Sequence, residues 1–285
     1  MSARRERPQR PSRRRRQRRL VSAVVIVVVL VAGGVAWGVH RSLGRSAPAP
    51  PPAPTPVSVT FPEGLRREQI ATILGGKTHL SARAYLAQTA ASGEGQILAG
   101  TSTPRSLEGF LFPATYQVYP STTVQQFIDM QVTAYRNYTA AVNYRYAASK
   151  NLTKYDVLTI ASMIEREVSV PAERPIVAGV IYNRLHDRMT LGIDATVQYA
   201  LGYWKTNLTE ADLQIDSPYN TRKYPGLPPG PISNPGLASI QAAAHPAHVP
   251  YLYYVARNDG SGGHYFATTA DQFNADVAKS QANAS

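Results

Sequence analysis

Two glutamates separated by a single residue, Glu165 and Glu167, lie at the end of a segment whose apolar residues recur at helical spacing. Projected as a helix, the segment carries an apolar stripe with one glutamate on each edge. Glu167 follows Met163 and Ile164 by four and three positions, so its carboxylate is expected to lie against apolar side chains. Such surroundings disfavour the charged form and raise the pKa, which lets a carboxylic acid act as a general acid near neutral pH.

The same two glutamates also have a purely structural interpretation. Glutamates at the edge of a helix commonly form ion pairs, and suitable arginines stand at positions 166, 174 and 184. The helical pattern treats both carboxylates alike. It therefore neither selects one of them nor separates catalysis from ion pairing.

A loop rich in proline and glycine, residues 217–236, supplies further polar candidates. Nine of its twenty residues are Pro or Gly, and a loop of this length in a compact domain is usually functional or disordered. Tyr219, Asn220 and Thr221 are suited either to bind sugar hydroxyl and acetamido groups or to cap the backbone of the loop. Asp194, which precedes this loop, is suited either to support a cleft or to cap a turn.

Three histidines raise the question of a metal site. His245 and His248 flank Pro246, which ends a predicted helix, so the pair lacks the helical i, i+4 arrangement of zinc peptidases. His264 is the only candidate for a third ligand beside them. The chain has no cysteine, which excludes disulfides and thiol catalysis, and we predict neither a metal nor another cofactor.

Positive charge is concentrated at the N-terminus. The first 45 residues carry a net charge of +11 and the remaining 240 carry +1, so the charge pattern does not predict nucleic-acid binding. Residues 20–40 are almost entirely apolar and long enough as a helix to cross a bilayer. The arginines before this segment predict a cytoplasmic N-terminus and an extracytoplasmic remainder. A cleaved signal peptide is the alternative interpretation.

These patterns predict an α+β protein with a single-pass N-terminal transmembrane helix. A helix beginning after Thr153 is predicted from its capping residues, another is predicted over residues 124–146, and two strands are predicted near 251–255 and 264–266. The predicted parts are a basic tail (1–19), the transmembrane helix (20–40), a Pro-rich linker (41–56), a small α+β subdomain (57–120) and a mixed α+β catalytic domain (121–285).

Several motifs in series resemble the YceG/MltG family of endolytic murein transglycosylases. They occur in order between about Val59 and Val277: Ala161-Ser-Met-Ile-Glu-Arg-Glu167, Glu173-Arg174, Val180-Ile-Tyr-Asn-Arg-Leu185, Asp194-Ala-Thr-Val197, Tyr199, Ser217-Pro-Tyr-Asn-Thr221, Gly226-Leu-Pro-Pro-Gly-Pro-Ile232, Asn234-Pro-Gly236, Ala242-Ala-Ala-His-Pro246 and Gly262-Gly-His264. A series of this kind is far more specific than any one motif.

The resemblance implies roles for particular residues. The catalytic residue would be the second glutamate of the Glu-x-Glu pair, which is Glu167, with Glu165 and Asp194 in support. The region from residue 57 would be a partial LysM-like subdomain. The residues implied to bind substrate are Thr196, Tyr199, Tyr219, Asn220, Thr221, Asn234, His245 and His264.

The implied reaction needs a single carboxylate. Glu167 would protonate the glycosidic oxygen between N-acetylmuramic acid and N-acetylglucosamine and would then accept the proton of the muramic C6 hydroxyl. Attack of that hydroxyl on C1 leaves a 1,6-anhydro end, so no second carboxylate is needed to activate water. The resemblance also implies a membrane-anchored protein that limits the length of nascent glycan strands beside peptidoglycan synthases.

Four positions depart from the family pattern. Gly192 and Ile193 stand where Gln-Ser is usual, Arg222 where an aromatic residue commonly follows Asn-Thr, and Phe273 where a histidine is common. Two other function classes stay open at the level of sequence. One is a non-catalytic peptidoglycan-binding scaffold for cell-wall synthases, and the other is a zinc amidase or peptidase built on the histidines.

Overall fold

The computed structural model describes residues 27–41, 54–103 and 105–284. Residues 27–41 form a helix, α1, with exposed apolar side chains, and they belong to a different unit from the residues beyond 53. The predicted basic tail, residues 20–26 of the predicted transmembrane segment and residues 42–53 of the predicted linker lie outside the described residues. Among the described residues, none of the helices has the length and apolar character needed to cross a membrane.

The unit from Pro54 to Ser285 is compact and mixes helices with small antiparallel sheets, which confirms the α+β class. Its elements up to residue 149 are β1 (Val57–Thr60), α2 (Arg67–Lys77), α3 (Ala82–Gln88), α4 (Gly93–Ala99), β2 (Thr115–Val118), α5 (Val124–Thr139) and α6 (Arg145–Ser149). The later elements are α7 (Lys154–Glu167), α8 (Arg174–His186), α9 (Asp194–Leu201), α10 (Glu210–Leu213), α11 (Leu237–Ala244), β3 (Tyr253–Ala256), β4 (His264–Ala267) and α12 (Ala270–Asn283). Strand β1 pairs with β2, and β3 pairs with β4.

Helix α7 lies at the centre of this unit. It begins where Thr153 and Asp156 form the predicted capping box, and every residue from 157 to 164 is buried. Helices α8, α9 and α11 pack against it. A helix buried all round depends on its neighbours for the partners of its polar groups.

The loop of residues 226–236 covers the polar side of α7 and provides those partners. The Ser162 hydroxyl accepts the backbone N–H of Ile232 at 3.0 Å, and the Ser233 hydroxyl donates to the Ser162 carbonyl at 3.1 Å. One turn later, the N–H of Gly236 donates to the Glu165 carboxylate at 3.0 Å. The second half of the loop is therefore bonded to the C-terminal part of α7.

Asn234, in the same loop, bonds to elements from the first half of the chain. Its Oδ1 accepts the N–H groups of Gly109 (2.8 Å) and Leu111 (2.9 Å), and its Nδ2 donates to the Glu108 carboxyl (2.7 Å) and the Leu65 carbonyl (3.0 Å). Gly109 has a φ of 88°, and a Cβ there would lie 2.6 Å from Pro231. Only glycine fits this close contact, because both the backbone angle and the space exclude a side chain.

One predicted helix is wrong in its extent. The segment 124–146 is not a single helix, because α5 ends at Thr139 and α6 begins at Arg145. The Asn143 side chain accepts the N–H of Arg145 at 3.0 Å, a local bond that competes with the helical backbone pattern. Phe127 of α5 packs in the same hydrophobic cluster as β1 and β2, and the division of the chain at residue 120 stays a prediction.

Glu108 is a buried carboxyl that should make this unit sensitive to pH. Burial raises the pKa of Glu108 to about 8, and the negative charge of Glu68 adds to the rise while Arg67 opposes it. A folded-state pKa above the unfolded value means that the folded form binds the proton more tightly. The stability that this proton contributes is complete below the ordinary glutamate pKa and is lost as the pH rises through 8.

We expect the free energy of unfolding of residues 54–285 to fall by on the order of 3 kcal/mol between pH 4.5 and pH 8.5 because of this group. Urea unfolding followed by circular dichroism at both pH values measures the change. In Glu108→Gln most of the change should disappear, whereas the exposed Glu210→Gln control should keep it. An undiminished pH dependence in Glu108→Gln would contradict the assignment.

Candidate active site

Glu167 is the last residue of α7, at the point where the helix leaves the core. The next residue, Val168, has an extended backbone (φ −108°, ψ 113°), so the chain turns away and the Glu167 side chain, partly buried, lines an open cleft. The cleft has a volume of about 470 Å³, within the range of small-ligand sites. The lining residues that matter below are Arg184, Gly192, Asp194, Arg222, Tyr253, Tyr254, His264 and Phe273.

The surroundings of Glu167 favour its protonated form. Burial is the main cause that raises the pKa of Glu167, and the negative charge of Asp194 raises it further. The backbone N–H of Ala195, the side chain of His264 and the hydroxyl of Tyr254 act in the opposite direction. A carboxylic acid with a raised pKa in an open cleft is suited to donate a proton to a ligand bound there.

Tyr254 contacts Glu167 directly. Its hydroxyl donates to Glu167 Oε2 at 3.4 Å, a long hydrogen bond. Burial, with the adjacent carboxylate, raises the pKa of Tyr254 well above the usual tyrosine value, so the hydroxyl keeps its proton. Tyr254 is therefore a permanent donor that orients the carboxyl group.

Asp194, the other carboxylate in the cleft, has a different environment. It occupies the first turn of α9, where the helix dipole favours negative charge. Its Oδ1 lies 2.5 Å from Nη1 of Arg222, and the side chains of Asp194 and Arg222 are 57% and 40% exposed. The cleft thus holds one carboxyl that is desolvated and one that is solvated and paired with a cation.

His264 is held by Glu173 at one wall of the cleft. Glu173 Oε2 lies 2.7 Å from His264 Nδ1, and Glu173 Oε1 accepts the backbone N–H of His264 at 3.0 Å. Both side chains are almost fully buried. Because the carboxylate occupies Nδ1, the other ring nitrogen is the one left for interactions in the cleft.

Not every predicted site residue lies in the cleft. Glu167, Asp194 and His264 line it, whereas Glu165 accepts the Gly236 N–H and lies 3.7 Å from Arg174 on another side of α7. The Tyr199 and Tyr219 rings pack together, 4.7 Å between centroids, outside the cleft lining.

Three other predicted substrate-binding residues are buried and bonded within the protein. The Thr196 and Thr221 hydroxyls lie 2.9 Å apart, and Asn220 donates to the Leu213 and Ile215 carbonyls. These bonds attach α9 and α10 to the Pro/Gly loop.

The remaining two predicted residues also lie elsewhere. Asn234 is buried under the loop, and His245 is exposed at the end of α11. Direct contact with substrate stays a prediction for these two residues and for Thr196, Tyr199, Tyr219, Asn220 and Thr221.

Three of the four departures from the family pattern line the cleft. Gly192 and Arg222 both line it, and Arg222 supplies the ion pair with Asp194. Phe273 also lines it and stacks on Tyr253, with 5.4 Å between ring centroids. Ile193, which immediately precedes α9, is buried.

The sequence did not predict the contacts of three residues in or beside the cleft. Glu173, Arg184 and Tyr254 are separated from their partners by long stretches of chain; Arg184, for example, donates to the Leu252 carbonyl at 2.5 Å. Glu173 and His264 both occur in the series of motifs, and this was the signal that could have paired them. Their contact spans 91 positions, so helical or strand spacing does not reveal it.

Replacing Asp194 should lower the pKa of Glu167. In Asp194→Asn the neighbouring negative charge is lost and the Arg222 cation is left near Glu167, so the ionised form of Glu167 becomes more favourable. Carbon-detected NMR titration of the Glu167 carboxyl group measures this shift directly. The control Asp216→Asn, which removes an exposed carboxylate outside the cleft, should leave the titration unchanged, and an upward shift in Asp194→Asn would refute the coupling.

The chain is similar to proteins of one known family. Residues 39–279 match the model of the YceG-like family. A crystal structure of a YceG-like protein from Listeria monocytogenes superimposes with a TM-score of 0.68 at 35% identity, covering 78% of this chain and 76% of that one.

Two curated relatives carry a functional name. The endolytic murein transglycosylase of Bacillus subtilis (strain 168) is 44% identical over 156 residues, which are 54% of this chain and 43% of that protein. The endolytic murein transglycosylase of Streptococcus pneumoniae (strain ATCC BAA-255 / R6) is 35% identical over 245 residues, which are 78% of this chain and 44% of that protein. The chain thus matches less than half the length of these relatives. Since the family model covers most of the chain, the chain belongs to the YceG-like family.

Proposed function

We propose that this protein is an endolytic peptidoglycan lytic transglycosylase that uses Glu167 as its acid and base. The observation that carries the proposal is a protonation-prone carboxyl group at the end of a buried helix, open to a cleft. The names of the curated relatives and the membership of the YceG-like family support the same reaction.

In the first step, the protonated Glu167 donates its proton to the glycosidic oxygen between N-acetylmuramic acid and N-acetylglucosamine. As the bond from this oxygen to muramic C1 breaks, positive charge develops on the muramic ring. Asp194, which lies in the same cleft, stabilises that charge electrostatically. The leaving sugar departs with a neutral hydroxyl group.

In the second step, the ionised Glu167 accepts the proton of the muramic C6 hydroxyl while that oxygen bonds to C1. This restores the acid and produces a 1,6-anhydro end without consuming water. An intramolecular nucleophile has a large entropic advantage over a second molecule. Tyr254 donates to the Glu167 carboxylate, which keeps it oriented between the two proton transfers.

The location and partners of the protein form part of the same proposal. Residues 20–40 would anchor the chain in the cell membrane with the N-terminus in the cytoplasm, and the strand-and-helix region from residue 57 would be a partial LysM-like subdomain. The support is the apolar segment and the arginines before it. An enzyme held at the outer face of the membrane would meet nascent glycan strands there and would work beside peptidoglycan synthases to limit strand length.

Replacing the proposed acid, Glu167, should slow the reaction strongly. We expect Glu167→Gln to lower the rate of release of anhydro-muropeptides from intact sacculi by about a thousandfold, because glutamine does not donate a proton to the leaving oxygen. Mass spectrometry of the released fragments measures both the rate and the chemistry of the new ends.

The exposed Glu210→Gln variant is the matched control and should cleave at the parent rate. Glu165→Gln should lower the melting temperature, because Glu165 bonds to Gly236, yet yield the same anhydro products. Parent-level release by Glu167→Gln would remove Glu167 from the reaction. Reducing ends in place of anhydro ends would show that water, and not the C6 hydroxyl, attacks C1.

A further inference from the structure

A second concave site lies beside the cleft and has no role in the reaction described above. Its walls come from α2, the end of α7 and the segment from α9 to Trp204. We call it the arginine pocket, and the residues that define it are Arg66, Arg166, Tyr199, Tyr203 and Trp204.

The arginine pocket and the cleft share two stretches of chain. Arg166 lines the pocket and its neighbour Glu167 lines the cleft, and likewise Ala195 lines the pocket and Asp194 the cleft. Consecutive Cα atoms are about 3.8 Å apart. The walls of the pocket and of the cleft therefore adjoin at these two stretches.

Nearby carboxylates balance the positive charge of the two arginines in the pocket only in part. Arg66 pairs with Glu68 at 3.6 Å, whereas the guanidinium of Arg166 forms no ion pair with any residue in the described part of the chain. Its hydrogen bond is a long one, 3.4 Å to the Gly64 carbonyl. Burial and the nearby charge of Arg66 lower the pKa of Arg166, while Glu167 and Glu165 act in the opposite direction. An anion bound beside the guanidinium would favour its charged form further.

Aromatic rings hold both guanidinium groups in place. The Arg66 guanidinium carbon lies 4.5 Å from the centre of the Tyr199 ring, and that of Arg166 lies 4.7 Å from the Trp204 ring. Such stacking restrains the planar groups before any ligand arrives. Tyr203 and Trp204 are themselves 57% and 60% exposed, so they offer ring faces at the rim of the pocket.

We propose that the arginine pocket binds a carboxylate of the stem peptide on the glycan strand that occupies the cleft. This inference rests on the proposed function. Each muramic residue of such a strand carries a peptide with free carboxylates, and a planar carboxylate matches the donor fork of a guanidinium. The pocket thereby grips the strand through its peptide and leaves the sugars to the cleft.

The test uses the full chain in mild detergent with two background changes. Glu167→Gln prevents turnover, and Trp37→Phe leaves Trp204 as the sole tryptophan, because the sequence contains two. The probes are purified glycan strands with intact stem peptides and the same strands after their carboxylates have been converted to amides. Calorimetry gives the Kd, and Trp204 fluorescence reports whether the ligand reaches the pocket.

We expect strands with free carboxylates to change the Trp204 emission and Arg166→Gln to weaken their binding about tenfold. Amidated strands should bind the parent and Arg166→Gln equally. Arg66→Gln is a second variant with the same expected pattern, for use if Arg166→Gln does not fold. Arg145→Gln, which removes an exposed arginine of α6, is the charge-matched control and should bind like the parent.

Two results would contradict the proposed carboxylate site. In one, both folded arginine variants bind free-carboxylate strands as tightly as the parent does. In the other, the variants lose binding equally for free and amidated strands. A failure of the proposed function looks different. In that case the chain that retains Glu167 releases no anhydro ends from the free-carboxylate strands, whereas a failure of the pocket leaves that release in place.

Discussion

Helix α7 is buried on every side over two turns, so its polar groups need hydrogen-bond partners within the protein. The solution is the loop of residues 226–236, whose backbone and serine side chain bond to Ser162 and Glu165. The loop's abundance of proline and glycine suits this task, because the chain must approach the helix closely and remain in one conformation. The prolines reduce the conformational entropy that the loop loses on folding.

The same loop also connects α7 to the first half of the chain. Asn234 satisfies the backbone of Gly109 and Leu111 and bonds to the buried Glu108. A buried amide with all of these partners favours a single arrangement of the surrounding chain, because the loss of any partner leaves a desolvated polar group without a hydrogen bond. The β1–β2 region is therefore attached to the helix that carries Glu167 through a polar network as well as through apolar packing.

The proposed acid, Glu167, lies where α7 leaves this environment. Glu167 keeps enough burial to favour its protonated form, while Asp194 is more exposed and is paired with Arg222. Two carboxyl groups in one cleft are thus placed in unlike environments, and unlike environments let proteins give two carboxyl groups different roles. Arg166, next in the chain to Glu167, points to a different pocket, because successive helical residues are about 100° apart.

Local sequence determined the start and apolar character of α7, the C-terminal hairpin and the α+β class, because capping and periodicity depend on residues a few positions apart. Helical periodicity treated Glu165 and Glu167 alike, and the series of motifs selected Glu167. Only the tertiary structure decided that Glu165 bonds to Gly236, that Glu173 holds His264, that Arg222 pairs with Asp194, and that Thr196 and Asn220 are buried. These contacts join residues 28 to 91 positions apart, and the burial of Thr196 and Asn220 depends on how helices pack. No local spacing encodes such distances.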